Sequence, residues 1–99
     1  MEKERIDRLA EVFLEAKTID DMSVLLDEML TNSELEALAL RITLVKKLLQ
    51  GMTQRQIAAE HHLSLCKITR GSKIIKNRDS VIKRILEKEL NVSQDDTEN

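Results

Sequence analysis

Two short runs hold most of the side chains in this 99-residue chain that could do specific chemistry, Thr53-Gln54-Arg55-Gln56 and Ser64-Leu65-Cys66-Lys67-Ile68-Thr69-Arg70. Gln and Arg offer donors that reach base edges, and Ser, Thr, Lys and Arg serve phosphate oxygens. The spacing is that of a helix-turn-helix over about 53–71. Thr53 is placed to cap a first helix, with Gln56 three residues on to complete a capping box. Ile57 and Ala58 form its apolar side, and Ala58 is small where two helices must approach. His61-His62-Leu63 makes the turn, with His62 expected at φ > 0. Ser64 is expected to cap a second helix. That helix turns Leu65 and Ile68 inward, at i and i+3, and leaves Cys66, Lys67, Thr69 and Arg70 facing out. Two short helices at a steep angle, the second presented to solvent, suit a DNA major groove.

Charge separates this reading from that of an ordinary helical hairpin. Residues 1–40 carry four Lys/Arg against eleven Asp/Glu, residues 41–76 carry eight against one, and residues 77–99 carry four against six. The whole-chain net charge of −2 therefore conceals a segment at +7 that coincides with the motif. A basic stretch on such a motif is an electrostatic footprint for phosphate. The acidic remainder limits indiscriminate adhesion to DNA.

Catalytic readings find no support. His61 and His62 are adjacent, so on a helix they diverge and cannot share a metal. Cys66 has no general base beside it, and no glycine-rich phosphate loop is present. We expect no catalytic residue, no metal and no cofactor. The single cysteine excludes an internal disulfide and fits a reducing cytosol. No signal peptide or membrane-length apolar run is visible, which implies a soluble cytoplasmic protein with no membrane partner.

The elements that position the motif read as helices throughout. With one Phe and no Trp, Tyr or Pro, the core must be built from Leu, Ile, Val and Met. The expected fold is all-α, about six helices in a single domain over residues 1–90, followed by a disordered acidic tail over 91–99. Ile6, Leu9, Ala10, Phe13 and Ala16 recur at helical spacing. Thr18-Ile19-Asp20-Asp21 starts a second helix, with acids in its first turn. Thr31-Asn32-Ser33-Glu34 is another capping box and opens a long third helix that Gly51 closes. Arg78 to Leu90 makes the last helix. In the third helix Leu35, Leu38, Ile42, Val45 and Leu49 form one apolar stripe, while Ala37, Leu40, Leu44 and Leu48 fall off it. Burial on several sides implies a partner chain, most simply a second copy in a C2 homodimer.

The run from Met29 to Leu90 resembles the Trp repressor family. The matching landmarks are Met29-Leu30-Thr31, Glu36-Ala37-Leu38, Arg41, the apolar run to Leu48-Leu49 with Gly51, Thr53-Gln54-Arg55, and Ile68-Thr69-Arg70-Gly71-Ser72. The last of these, with an Arg midway along the preceding long helix, is the most particular. The resemblance implies an intertwined homodimer that binds double-stranded operator DNA when L-tryptophan occupies it as corepressor. It implies repression, of genes for tryptophan biosynthesis or uptake.

By the same resemblance Arg41 and Arg70 stack on the indole ring, and one also holds the carboxylate, chemistry suited to a planar guanidinium. Gly71 leaves room for the ring, and Thr31 of the other subunit reaches the ligand carboxylate. The backbone carbonyls of Glu28 and Leu30 take the ammonium. Ile74 stands where the family commonly has a serine, which removes a hydrogen bond worth about 0.5–1.5 kcal/mol. Lys73 adds a positive charge beside the site, and the turn between Gly51 and Met52 is one residue shorter than in the family. On DNA, Gln54 is expected on phosphate and Arg55 on a base edge. Ser64, Leu65, Cys66 and Lys67 open the recognition helix, Thr69 lies close to the groove and Lys76 reaches phosphate. Two alternatives stay open: a DNA-binding protein of this kind that is ligand-independent or answers another small molecule, and a protein-interaction module with a basic face.

Overall fold

The computed structural model describes the backbone of residues 2–98 and the side chains of residues 2–64 and 68–91. The expected roles of the Leu65, Cys66 and Lys67 side chains therefore lie outside the described residues. Among those described, every regular element is a helix: α1 (Glu2–Leu14), α2 (Ile19–Met29), α3 (Asn32–Leu49), α4 (Gln54–His61), α5 (Leu65–Lys76) and α6 (Val81–Glu98). The all-α expectation is met, and no described helix is long and apolar enough to cross a membrane.

The helix boundaries follow from local chemistry. The Thr18 hydroxyl accepts from Asp21 N–H at 3.0 Å and starts α2. At the head of α3, the Thr31 N–H donates to Glu34 Oε1 at 2.9 Å and the Glu34 N–H donates to Thr31 Oγ1 at 3.2 Å. This is the reciprocal capping box expected from the sequence. Backbone and side-chain hydrogen bonds from Thr31 hold the Glu34 carboxyl below the usual glutamate range.

The end of α3 is a Schellman stop. Gly51 has φ +96°, its N–H donates to Leu48 O at 3.1 Å, and the Met52 N–H donates to Lys47 O at 3.1 Å. Only glycine takes that left-handed position without a Cβ clash. Thr53 follows at once as the N-cap of α4, so the connection between the two helices is short.

The chain divides into two compact units, residues 1–38 and 39–99. The reason lies in burial: neither α1 nor α2 contains a buried residue. The second unit has a core. Leu44, Ile57 and Ile68 are buried together, with Leu40, Leu48, Met52, Ala58 and Leu63 packed on them. On α3 it is thus the Leu40, Leu44, Leu48 row that this chain covers by itself. Val45 is buried too, but Leu38 and Ile42 of the other stripe remain 41% and 47% exposed.

The last helix starts later and ends later than its apolar pattern suggests. Asn77 Oδ1 accepts from Asp79 N–H at 3.0 Å, and Ser80 Oγ accepts from Lys83 N–H at 3.2 Å. These side chains make residues 78–79 a turn and cap α6, which starts at Val81. α6 then continues to Glu98, past the expected boundary at residue 90. No Gly or Pro follows Leu90, so nothing in the sequence forces the helix to stop there.

Candidate nucleic-acid interface

The candidate interface is built on α4 and α5. The Thr53 N–H donates to Gln56 Oε1 at 2.9 Å, and the Gln56 N–H donates to Thr53 Oγ1 at 3.1 Å. That box fixes the start of α4, where Gln54 and Arg55 occupy the first two helical positions. Arg55 is exposed and Gln54 half-buried. Ile57, one turn on, is fully buried and anchors α4 to the core.

The turn depends on His62. Its φ of 55° and ψ of 43° are left-handed, and its N–H donates to Ala58 O. The Leu63 N–H bonds the same carbonyl at 3.0 Å. A residue with a Cβ here carries strain that glycine would not. The sequence expectation of positive φ at His62 is met. Ser64 sits at the N-cap of α5 in extended conformation, but its side chain makes no cap hydrogen bond. The expectation that its hydroxyl caps the helix is corrected: α5 starts after Ser64 without a side-chain cap bond.

Along α5, Ile68 is fully buried, as its spacing predicts, and Thr69, Arg70, Lys73 and Lys76 are exposed. Gly71 is buried where α5 meets α3: a Cβ on it would lie 3.2 Å from Leu48 Cδ1 and 3.6 Å from Val45 Cγ2. Ser72 beside it is only 6% exposed. The absent side chain lets the two helices approach, so Gly71 serves packing whatever else it does.

The ligand residues expected from the resemblance fall in both units. In the second, Arg41 is exposed on α3 one turn before Val45, and Arg70 is exposed on α5 next to Gly71. Ile74, half-buried, shares a face of α5 with Arg70 at i and i+4. The close approach at Gly71 is to Val45 and Leu48 of α3, one and two turns after Arg41. In the first unit, Glu28 is exposed near the end of α2, and Leu30, half-buried, is its C-cap, with its N–H on Leu26 O at 3.0 Å. Thr31 is occupied in the capping box of α3.

Three features escaped the sequence reading. One is the seat for Gly71 made by Val45 and Leu48. Another is the burial of Ser72. The third is an ion pair between Lys47 Nζ of α3 and Glu60 Oε1 of α4 at 2.5 Å. The first and third join residues far apart in sequence, where periodicity carries no signal.

The second unit thus carries a short capped helix, a left-handed turn and a second helix displaying Thr69, Arg70, Lys73 and Lys76, within a segment of net charge +7. Helix-turn-helix proteins are the class it defines. The chain belongs to the Trp repressor family, whose model, described as Trp repressor protein, matches residues 4–90. It is 33% identical over 89 residues to a Trp operon repressor homolog of Xylella fastidiosa, covering 89% of this chain and 95% of that one. It is 40% identical over 62 residues to a protein of the same name from Chlamydia trachomatis serovar D, covering 62% of this chain and 66% of the relative. Members of this family are transcription regulators, not enzymes.

Proposed function

We propose that this chain is a cytoplasmic homodimeric repressor that binds operator DNA sequence-specifically when L-tryptophan occupies it, and that it controls genes of tryptophan biosynthesis or uptake. The observation that carries the reading is the reader itself. Arg55 at the head of α4 and Thr69, Arg70 and Lys76 on α5 are exposed on elements fixed by the Thr53–Gln56 box, the His62 turn and the buried Ile57 and Ile68. Family membership and the names of the relatives support the operator and the corepressor.

In this mechanism the ligand lies between Arg41 and Arg70 of one subunit and Thr31 of the other. Guanidinium planes stack on an aromatic face and fork onto a carboxylate. Filling the site would set the spacing of two readers to one DNA turn, roughly 34 Å. Coupling of about 1–3 kcal/mol between ligand and operator is enough for a switch. The homodimer is supported by the apolar side chains that remain exposed, among them Ile6 at 62%, Val24 at 60%, Leu38 at 41% and Ile42 at 47%.

The test is an L-tryptophan titration followed by ligand fluorescence and calorimetry. The chain has no Trp or Tyr, so the emission belongs to the ligand. Saturable binding at one site per chain, together with tighter operator binding, is the expected result. No binding at millimolar ligand removes tryptophan as the signal and directs attention to other aromatic or anionic metabolites, for which Ile74 and Lys73 leave room. DNA binding that rises uniformly at low salt with no base preference removes operator recognition.

A further inference from the structure

A single acid, Glu60, stands among the eight Lys and Arg of residues 41–76. On charge alone a carboxylate in a DNA-facing segment weakens binding to every sequence, because it meets phosphate of its own sign. The structure gives it another use. Glu60 lies in the last turn of α4, three residues after the fully buried Ile57, and its Oε1 accepts from Lys47 Nζ at 2.5 Å. Among the described residues this is the ion pair that joins two helices; Lys3–Asp7 and Arg8–Glu11 lie within α1.

Lys47 is well placed for such a role. It follows the buried Leu44 by three positions and precedes Leu48, so the pair rims the apolar seam of Leu44, Ile57 and Ile68. Its carbonyl accepts the Met52 N–H that ends α3, while its side chain holds α4. That side chain is only 21% exposed, and an ammonium so placed needs a partner. The Lys47 hydrogen bond is the largest influence holding the Glu60 carboxyl below the usual glutamate range. α4 has eight residues, and Ile57 is its buried one. Ala58 also packs on the core, and the pair adds a polar tie from the end of α4 to α3.

We propose that Lys47 and Glu60 are positioning residues for base readout: their ion pair sets the tilt of α4 on α3 and so aims Gln54 and Arg55, at the opposite end of α4, at the DNA. The inference rests on the DNA-binding reading above. Charge and position predict opposite outcomes for one variant, because removing the Glu60 charge favours DNA in general while releasing α4 costs discrimination.

The experiment compares a duplex selected by the wild-type chain from a random pool, with L-tryptophan present, against a scrambled duplex. The chains are wild type, Glu60→Gln, Lys47→Gln and the reversed pair Lys47→Glu/Glu60→Lys, which keeps the net charge. We expect each single variant to lower the selected-to-scrambled affinity ratio by about threefold to fivefold, the effect of losing a partly screened ion pair. The reversed pair should recover most of that loss. If Glu60→Gln tightens both duplexes with the ratio unchanged, the proposal is overturned and Glu60 is a solvated charge. Thermal melting is followed in parallel, and single variants that melt earlier yet keep the ratio also overturn it. A wild-type chain without base selectivity overturns the proposed function instead. The α3–α4 strut is then decided by melting alone, where additive effects of the single variants and their combination overturn it and coupling sustains it.

Discussion

Gly71 of α5 backs onto Leu48 of α3 so closely that a methyl group on it would lie 3.2 Å from Leu48 Cδ1. Helix propensity favours alanine over glycine by about 1 kcal/mol, which opposes this crowding. Leu48 is half-buried and flexible at its tip, so it can give by a few tenths of an ångström. Gly71→Ala is therefore expected to stay within about 1 kcal/mol of the wild type, the two effects being of similar size. Gly71→Val adds bulk that the contact cannot absorb and should cost about 1–3 kcal/mol. Urea denaturation measures both, and the loss in Gly71→Val/Leu48→Ala should be smaller than the sum of the single changes. A neutral Gly71→Val would mean that α5 does not need this approach.

His62 offers the reverse case, a side chain where the backbone wants none. At φ 55° it holds a left-handed turn that glycine adopts without strain. His62→Gly gains relief from that strain and loses some unfolded-state restriction, for a net stabilisation of about 0.5–1 kcal/mol. A β-branched residue fares worst at positive φ, so His62→Val should destabilise by more than about 1 kcal/mol. The order Gly, His, Val in melting temperature is the check, and any other order contradicts the role given to the turn.

The two capping boxes differ in one atom type and so in their response to acid. Glu34 closes the box of α3 with a carboxylate, Gln56 that of α4 with an amide. Because hydrogen bonds from Thr31 lower the Glu34 pKa in the folded state, its contribution is fully present above the unfolded value of about 4.3. It is lost as pH falls through the lower folded pKa. The variant Glu34→Gln keeps the geometry and removes the charge. Amide exchange at the head of α3 should then lose its acid dependence below about pH 4.3, while that at the head of α4 is the same in both chains. Equal acid dependence in the wild type and Glu34→Gln would place the titration elsewhere.

These boxes were legible in the sequence because their partners lie only three positions apart, and so were Gly51 at the end of α3 and His62 in the turn. Local rules fix such features, and the resemblance to the family rests on the same kind of short, ordered landmark. The third helix was legible only in part. Its two apolar rows are plain, yet the choice of Leu40, Leu44 and Leu48 as the row this chain covers, leaving Leu38 and Ile42 exposed, is made by where α4 and α5 fold back. Lys47 and Glu60, thirteen positions apart, could not be paired from spacing, since Lys46 and every exposed acid competed for the same reading. Ser64 was legible as a cap by type and position, but its side chain makes no cap bond.

Arg55 gives the sharpest test of the proposed DNA contact of α4. It is exposed at the second position of α4, directly after Gln54 and held by the Thr53–Gln56 box. An arginine on a base edge reads sequence, most commonly by forking onto guanine O6 and N7, whereas an arginine on phosphate adds only affinity. If Arg55 reads a base, Arg55→Ala costs about 1–3 kcal/mol on the selected operator, little on scrambled DNA, and relaxes preference at one base pair per half-site. If it contacts phosphate, the loss is uniform across sequences and the salt slope falls by about 1. Affinities on the two duplexes over a range of salt separate these outcomes. Gln54→Ala, expected to remove a neutral phosphate contact, should weaken both duplexes alike and leave the slope unchanged.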